Sequence, residues 1–333
     1  MRGVSGFEYL LSDKICEKFR DVTDEVRVDD AGSIIAVKKA KNPKASIMLE
    51  AHCDEIGLMV NTIDENGFLT FVNIGGVDAR ILPGAEVTVH GKTDVPGIIG
   101  AKPPHLQTAG EADKSIAIKD MAIDVGMSAD AVREIISVGD SITLNQEPCE
   151  LLNNNLSAKT VDDRGGVAVL LEVAKTIQNE ELDCDIYFVA AVQEEVGLRG
   201  AKTAAYGINP DMAIAIDVCH GVTPDNSYNA FDTGSGTVIS LGPNIHPKMG
   251  EKLIELAEKN EIKHNIDVDG GDTGTDAWAI QVNRAGVPTG LLSIPLKYMH
   301  TSVETLSLDD LDATKELILA FLRDVKEAEW LCF

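Results

Sequence analysis

Apolar positions along this chain change period several times, and the changes outline its elements. Ile186 to Val192 is apolar without a break and rich in aromatic and branched residues. Such a run reads as a strand buried on both faces of a sheet. Glu194 and Glu195 stand where it ends, and Gly197 lets the backbone turn. Neighbouring strand residues point to opposite sides, so two adjacent glutamates can serve one site in different roles. Ser46 to Ala51 and Asp211 to Asp217 repeat the pattern, delivering His52 with Asp54 and then Asp217 at their ends. Thr237 to Leu241, a stretch near Lys263 to Val268, and Pro288 to Ile294 supply further strands. Val26 to Val28 and Ser33 to Val37 form a hairpin around Asp29 to Gly32. Helical spacing predicts helices over Phe7 to Phe19, Gly165 to Gln178, Gly200 to Tyr206, Pro247 to Asn260, Ala277 to Asn283 and Asp309 to Ala328.

Between about Ile63 and Asn155 the texture differs. Phe68 to Asn73, Glu86 to His90, Gly97 to Ile99 and Ser141 to Leu144 are short strand-like pieces separated by Gly, Pro and Asn turns. Apart from a short acidic helix near Ser128 to Ile136, no helix is evident there. The pattern predicts an α/β fold, a mixed central sheet flanked by helices, interrupted by a small β-barrel or sandwich. Residues 1–62 and 156–333 would form the main domain and 63–155 the insertion. Ala101 to Ser115 reads as a mobile loop.

Composition narrows the function classes. The chain has 333 residues, 44% hydrophobic and 25% charged, enough for a sizeable core. A net charge of −25 argues against nucleic-acid and anionic-membrane partners, which need basic surface. No segment holds 18 apolar residues and no leader pattern opens the chain, so the expected location is cytoplasmic. The six cysteines, Cys16, Cys53, Cys149, Cys184, Cys219 and Cys332, are scattered and fit reduced thiols. Cys53, Cys184 and Cys219 lie in or beside strand-like runs and read as core residues.

Five polar pieces stand at the ends of predicted elements: His52 with Asp54, Asp162-Asp163, Glu194-Glu195, Asp217 and His300. Each alone has an ordinary explanation; Asp162, for instance, is placed to cap the following helix. Together the imidazoles and carboxylates make a ligand set for a pair of borderline divalent ions: zinc or cobalt, with manganese as an alternative. A carboxylate can bridge two ions, which an imidazole cannot. Two ions about 3.5–4 Å apart can clamp a water and a carbonyl oxygen together.

At these residues the chain resembles the tetrahedral (TET) aminopeptidases, which include glutamyl and deblocking aminopeptidases and proteins once labelled cellulase M. The matching segments are Ala51 to Gly57, Asp162 to Gly166, Gln193 to Gly197, Ala215 to Asp217, Gly274 to Ala277 and Tyr298 to Glu304. Within the insertion, Gly97 to Leu106 and Gly139-Asp140 match too. The resemblance covers nearly the whole chain. It implies that His52 and Asp217 take one metal, that Glu195 and His300 take the other, and that Asp162 bridges them. It further implies Glu194 as general base, Asp54 orienting His52, and a cis peptide at Asp162-Asp163. Short peptides would be the substrates. Dimers joined through the inserted domain would build a hollow tetrahedral dodecamer, with the loop bearing His105 approaching an active site.

Departures are small: Cys53 stands where many relatives carry Met, and Thr301 where many carry Ser. Asp267 to Thr273 is strongly acidic; it is either a solvated loop or a bias of the substrate pocket towards basic or neutral N-terminal residues. Two other functions compete. A glycosidase also needs two carboxylates but leaves His52 and His300 unused. A catalytically silent metal-binding or scaffold protein has no need of Glu194 beside Glu195. No serine elbow or nucleophilic thiol motif is present.

Overall fold

The computed structural model describes every residue except 1, 108, 109, 111–113, 327, 329, 330, 332 and 333. The chain opens with helix α1 (Tyr9–Arg20) and strands β1 (Glu25–Val28), β2 (Ile34–Lys38) and β3 (Ala45–His52). Six strands follow: β4 (Gly57–Ile63), β5 (Leu69–Ile74), β6 (Glu86–His90), β7 (Asp94–Ile99), β8 (Ile123–Asp124) and β9 (Ser141–Leu144), with α2 (Ala129–Ile135) before the last. Then come β10 (Cys149–Leu151), β11 (Asn155–Ser157), α3 (Val161–Ile177), β12 (Cys184–Ala191), α4 (Arg199–Ile208) and β13 (Met212–His220). The chain finishes with β14 (Thr237–Leu241), α5 (Pro247–Lys259), β15 (His264–Val268), α6 (Asp276–Gln281), β16 (Thr289–Leu296), β17 (Thr305–Ser307) and α7 (Leu308–Asp324).

Eight strands form one mixed sheet in the order β1-β2-β12-β3-β13-β16-β14-β15. Its centre, β12-β3-β13-β16, is parallel. The period-2 geometry of these strands feeds two cores. Ile47, Leu49, Ile186, Phe188, Ile214 and Ile216 face the larger one, against α1, α3, α5 and α7. Met48, Val189, Ala191, Ala213 and Ala215 face the smaller one, against α4 and α6. Phe188 meets Phe19 of α1 at a centroid distance of 5.9 Å, a contact worth ~0.5–1.5 kcal/mol beyond area burial. Parallel strands end on the same edge of a sheet. His52 and Ala191 are register partners, so Glu194 and Glu195, just beyond β12, come level with Asp54 just beyond β3.

The six strands β4-β5-β8-β7-β6-β9 close into a barrel around a core of its own, including Leu58, Leu69, Val87, Ile123 and Ile142. The fold is therefore α/β, with a mixed helix-flanked sheet and a closed barrel inserted in it. The first barrel strand starts at Gly57, ahead of residue 63, while β10 and β11 pair with β17 outside the barrel. None of these short or bulged strands carries enough alternation to read in advance.

Two expectations are corrected. The closing helix ends at Asp324, not Ala328, because Val325 turns extended and buries itself in the larger core. β12 ends at Ala191, and Gln193 has φ +56°, so Glu194 and Glu195 sit in a turn where strand alternation does not apply. Cys53 and Cys184 are buried, whereas Cys219 is only partly so; Cys332 lies outside the described residues.

Candidate metal centre

His52 ends β3 and is 2% exposed. Its Nε2 is 3.1 Å from Asp162 Oδ1 and its Nδ1 3.5 Å from Asp54 Oδ1. Asp54 does more than face the ring. It accepts the Ser5 hydroxyl at 2.6 Å and the backbone N–H groups of Glu194 and Glu195 at 3.0 and 3.3 Å. One buried carboxylate thus ties the end of β3 to the turn after β12. Burial opposes its charge, but the imidazole beside it and these donors hold its carboxyl below the usual range.

The Asp162-Asp163 peptide is cis. The two aspartates divide the tasks the sequence left open: Asp163 Oδ1 accepts the Gly166 N–H at 3.0 Å, capping the regular part of α3. Asp162 is left to face the site. Its Oδ1 lies toward His52, and its Oδ2 is 3.5 Å from His300 Nε2. His300 Nε2 is also 3.5 Å from Glu195 Oε2. Glu304 clamps both sides, accepting the His300 N–H at 3.1 Å and the Asp162 N–H at 3.2 Å. His300 has φ +60°, a conformation a non-glycine residue keeps only when held.

The barrel reaches the site through one carbonyl. His300 Nδ1 is 3.2 Å from Gly76 O. A proton donated there fixes the ring and leaves the Nε2 lone pair free for a cation. A Cβ on Gly76 would lie 2.7 Å from that Nδ1. Ser5 and Gly76 gave no signal in the sequence. Glu304 lay within a recognised segment, but its clamp became visible only with the fold.

Three donor groups overlap, each with ligand atoms within 4.8 Å of one another: His52–Asp162–Asp217, Asp162–Glu195–His300, and His52–Glu194–Glu195. They line a cleft of about 690 Å³ at the sheet's carboxyl edge, and among the described residues no lysine or arginine lines it. Crowded acids without a cation resist ionisation. Burial, reinforced by Asp162, pushes Glu195 up to about 7 and Asp217 up to about 8. The Asp162 hydrogen bond is the main cause raising His300 to about 9. For His52 burial acts downward, but hydrogen bonds to Asp162 and Asp54 prevail and raise it. A donor set of this charge, with mixed oxygen and nitrogen ligands, fits divalent cations. His105 is exposed and does not line this cleft; part of its loop lies outside the described residues.

Fold and site together define a peptide-bond hydrolase of the metallopeptidase class. The chain belongs to the family described as M42 glutamyl aminopeptidase, whose sequence profile matches residues 32–317. It is 37% identical to the lysyl aminopeptidase of Pyrococcus furiosus over 98% of this chain and 95% of that one. It is also similar to the aminopeptidase APDkam598 from Desulfurococcus kamchatkensis, with a TM-score of 0.92, 38% identity and 99% and 93% of the chains covered. A further structural relative is the Pyrococcus horikoshii TET1 peptidase, which can assemble into a tetrahedron or a large octahedral shell. That match has a TM-score of 0.87, 34% identity and coverage of 98% and 97%. Family membership implies divalent metals. Among the described residues no helix is long and apolar enough to cross a membrane.

Proposed function

We propose that the chain is a two-metal aminopeptidase that removes the N-terminal residue of short peptides. The observation that carries this reading is Asp162: its two oxygens face two different imidazoles, which places it in two donor groups at once. His52 and Asp217 would hold one ion, Glu195 and His300 the other, and Asp162 both. The imidazole–carboxylate set, free of sulfur, suits zinc, cobalt or manganese. Bound there, the ions supply Lewis-acid polarisation of the scissile carbonyl and a water that loses its proton near neutral pH.

The chain's own residues do the rest. Glu194 is superfluous to the two groups that share Asp162, yet it lies in the same cleft. Burial, reinforced by Asp217 and only partly opposed by His52, pushes its carboxyl up to about 10; bound cations beside it would lower it towards the range of a general base. Glu194 takes the proton from the attacking water and hands it to the leaving amine. Asp54 orients His52 and fixes the turn that carries Glu194. A glycosidase would leave both imidazoles idle, and a silent metal-binding protein would leave Glu194 idle.

The inserted barrel is the assembly domain in this reading. Ile98 and Val138 on it are 55% and 65% exposed, apolar surface that self-association would cover. Dimers would build a tetrahedral dodecamer; that the TET1 relative can assemble into a tetrahedron or a large octahedral shell supports a large closed assembly. Buried free thiols fit the reducing cytoplasm, and the acidic surface fits no nucleic-acid partner.

One experiment tests the whole. Metal-stripped protein is sized by light scattering, reloaded with zinc, cobalt or manganese, and given aminoacyl anilides and cellodextrins. Release of free amino acid by a large assembly, abolished by chelator, is expected. Cellodextrin cleavage that survives chelation would replace this reading with a glycosidase, and absence of turnover with every metal would leave a binding protein.

A further inference from the structure

One buried charge cluster beside the metal centre takes no part in the chemistry above. Glu55 follows Asp54, and its side chain is only 4% exposed. Its two carboxyl oxygens divide between two cations: Oε2 accepts from Lys159 Nζ, and Oε1 accepts from Arg164 Nη2 at 3.1 Å. Both cations are themselves mostly buried. An exposed ion pair fixes little, whereas a buried carboxylate with a cation on each oxygen has its geometry determined. Lys159 and Arg164 bracket Asp162 in sequence, so Glu55 closes residues 159–164 into a loop around it.

The same cluster grips the segment that carries His52. Arg164 Nε donates to Cys53 O at 3.0 Å, directly after His52, and Arg164 Nη1 donates to Thr160 Oγ1 at 3.3 Å. Thr160 has φ +68°, a left-handed conformation that a β-branched residue keeps only when its surroundings hold it. The Glu55 N–H donates to Gly3 O at 3.0 Å, and its carbonyl accepts the Ser5 N–H at 3.1 Å. Ser5 is the residue whose hydroxyl reaches Asp54. Glu55, Lys159, Asp162, Glu195 and Glu304 also border one void of about 20 Å³, room for about one water. The cluster therefore packs against the ligands, and close packing passes a shift in one to the other.

Resting on the two-metal aminopeptidase reading, we infer that Glu55 is a positioning residue. Through Lys159 and Arg164 it sets where Asp162 stands relative to His52, and so supports the ion held by His52, Asp162 and Asp217. It acts on one distance, the 3.1 Å between His52 Nε2 and Asp162 Oδ1. Coordination tolerates only small departures from its preferred distances, so a slackened loop weakens that site. The other site has its own support. Glu304 ties the Asp162 N–H to the His300 N–H without using Glu55, so the ion at Glu195 and His300 keeps its donors.

The test titrates metal-stripped protein with cobalt(II), whose visible absorption reports ligand geometry, and measures the affinity of each step by calorimetry. The wild type should take two ions. Glu55→Gln keeps the volume but gives up the charge that holds both cations. It should bind one cobalt as the wild type does, bind the other at least ~10-fold more weakly, and show an altered visible band. The same substitution in a His52→Ala chain, which retains only the Glu195–His300 site, should leave cobalt affinity unchanged. Lys159→Met leaves Arg164 on Glu55; it should weaken the same step more mildly, and it carries the test if Glu55→Gln does not fold. Ile142→Val in the barrel should lower stability with the cobalt band unchanged, which separates positioning from destabilisation. Equal weakening of both steps, or wild-type binding and an unchanged band in Glu55→Gln or Lys159→Met, would overturn the inference and leave the two-metal reading intact. A wild-type chain that takes a single ion would overturn that reading as well.

Discussion

The edge of the central sheet and the inserted barrel bury very different things. Between Gly57 and Leu144 the buried polar side chains among the described residues are Ser141 and Thr143, and the core is aliphatic apart from Phe71 and two methionines at its heart and margin. At the sheet edge Glu50, His52, Asp54, Asp162, Asp163, Asp217, Asp276 and Glu304 are all buried within one neighbourhood. Glu50 and Asp276 face each other, with no other hydrogen-bond partner for their carboxyl oxygens among the described residues, and burial raises both. Burying so many acids costs free energy that the barrel does not spend. The difference teaches where stability and chemistry live: the barrel gives the site one backbone carbonyl, from Gly76, and the sheet edge gives it every side chain.

The sharpest way to break this contrast is within the edge itself. Glu194→Gln keeps shape but removes the proton acceptor, so turnover should fall by ~10²–10⁴ while elemental analysis still finds metal. Asp162→Asn should lose metal and activity together, because an amide bridges two cations poorly. Metal loss from the first variant and retention by the second would reverse the roles.

A second prediction uses protons. Without divalent ions the folded chain keeps a proton on Glu195 to about pH 7 and on Asp217 to about pH 8, with burial the first cause in both. The unfolded chain releases them near pH 4. Between these values the folded state binds more protons, so stability of the metal-free protein should fall as pH rises from about 5 to 8. At 1.36 kcal/mol per unit, the loss is on the order of 3 kcal/mol from Glu195 alone. Denaturant melts across this range should show the fall in stripped protein and flatten when metal is restored. A stripped protein whose stability rises over the same range would show that the acids are not held neutral by their surroundings.

The smallest effect belongs to the barrel. Ile142 is fully buried, on a strand that pairs with both β4 and β6. Ile142→Val should cost about 0.5–1.5 kcal/mol, read by denaturant midpoint, with metal content and kcat/KM as in the wild type. A variant that loses metal would mean the barrel governs the site by more than one carbonyl.

Much of this could be read from the chain because the information is local. Unbroken apolar runs such as Ile186 to Val192 marked the parallel strands, and residues at the ends of parallel strands share one edge. His52, Asp217 and the glutamates beyond β12 were therefore legible as a group. The alternation of Glu86 to His90 and the turns around it marked a separate β unit in the same way. What only the tertiary structure decided depends on groups distant in sequence. The sequence left Asp162 open as a helix cap; the fold gave the capping to Asp163. It placed Ser5 on Asp54, Glu304 under both Asp162 and His300, and a barrel carbonyl against His300. It also set Asp267 on the same face as Asp217, through a register no run of residues encodes. The physical reason is range: periodicity and turn chemistry act over a few residues, whereas buried hydrogen bonds and charges are satisfied by whatever the packed chain brings near.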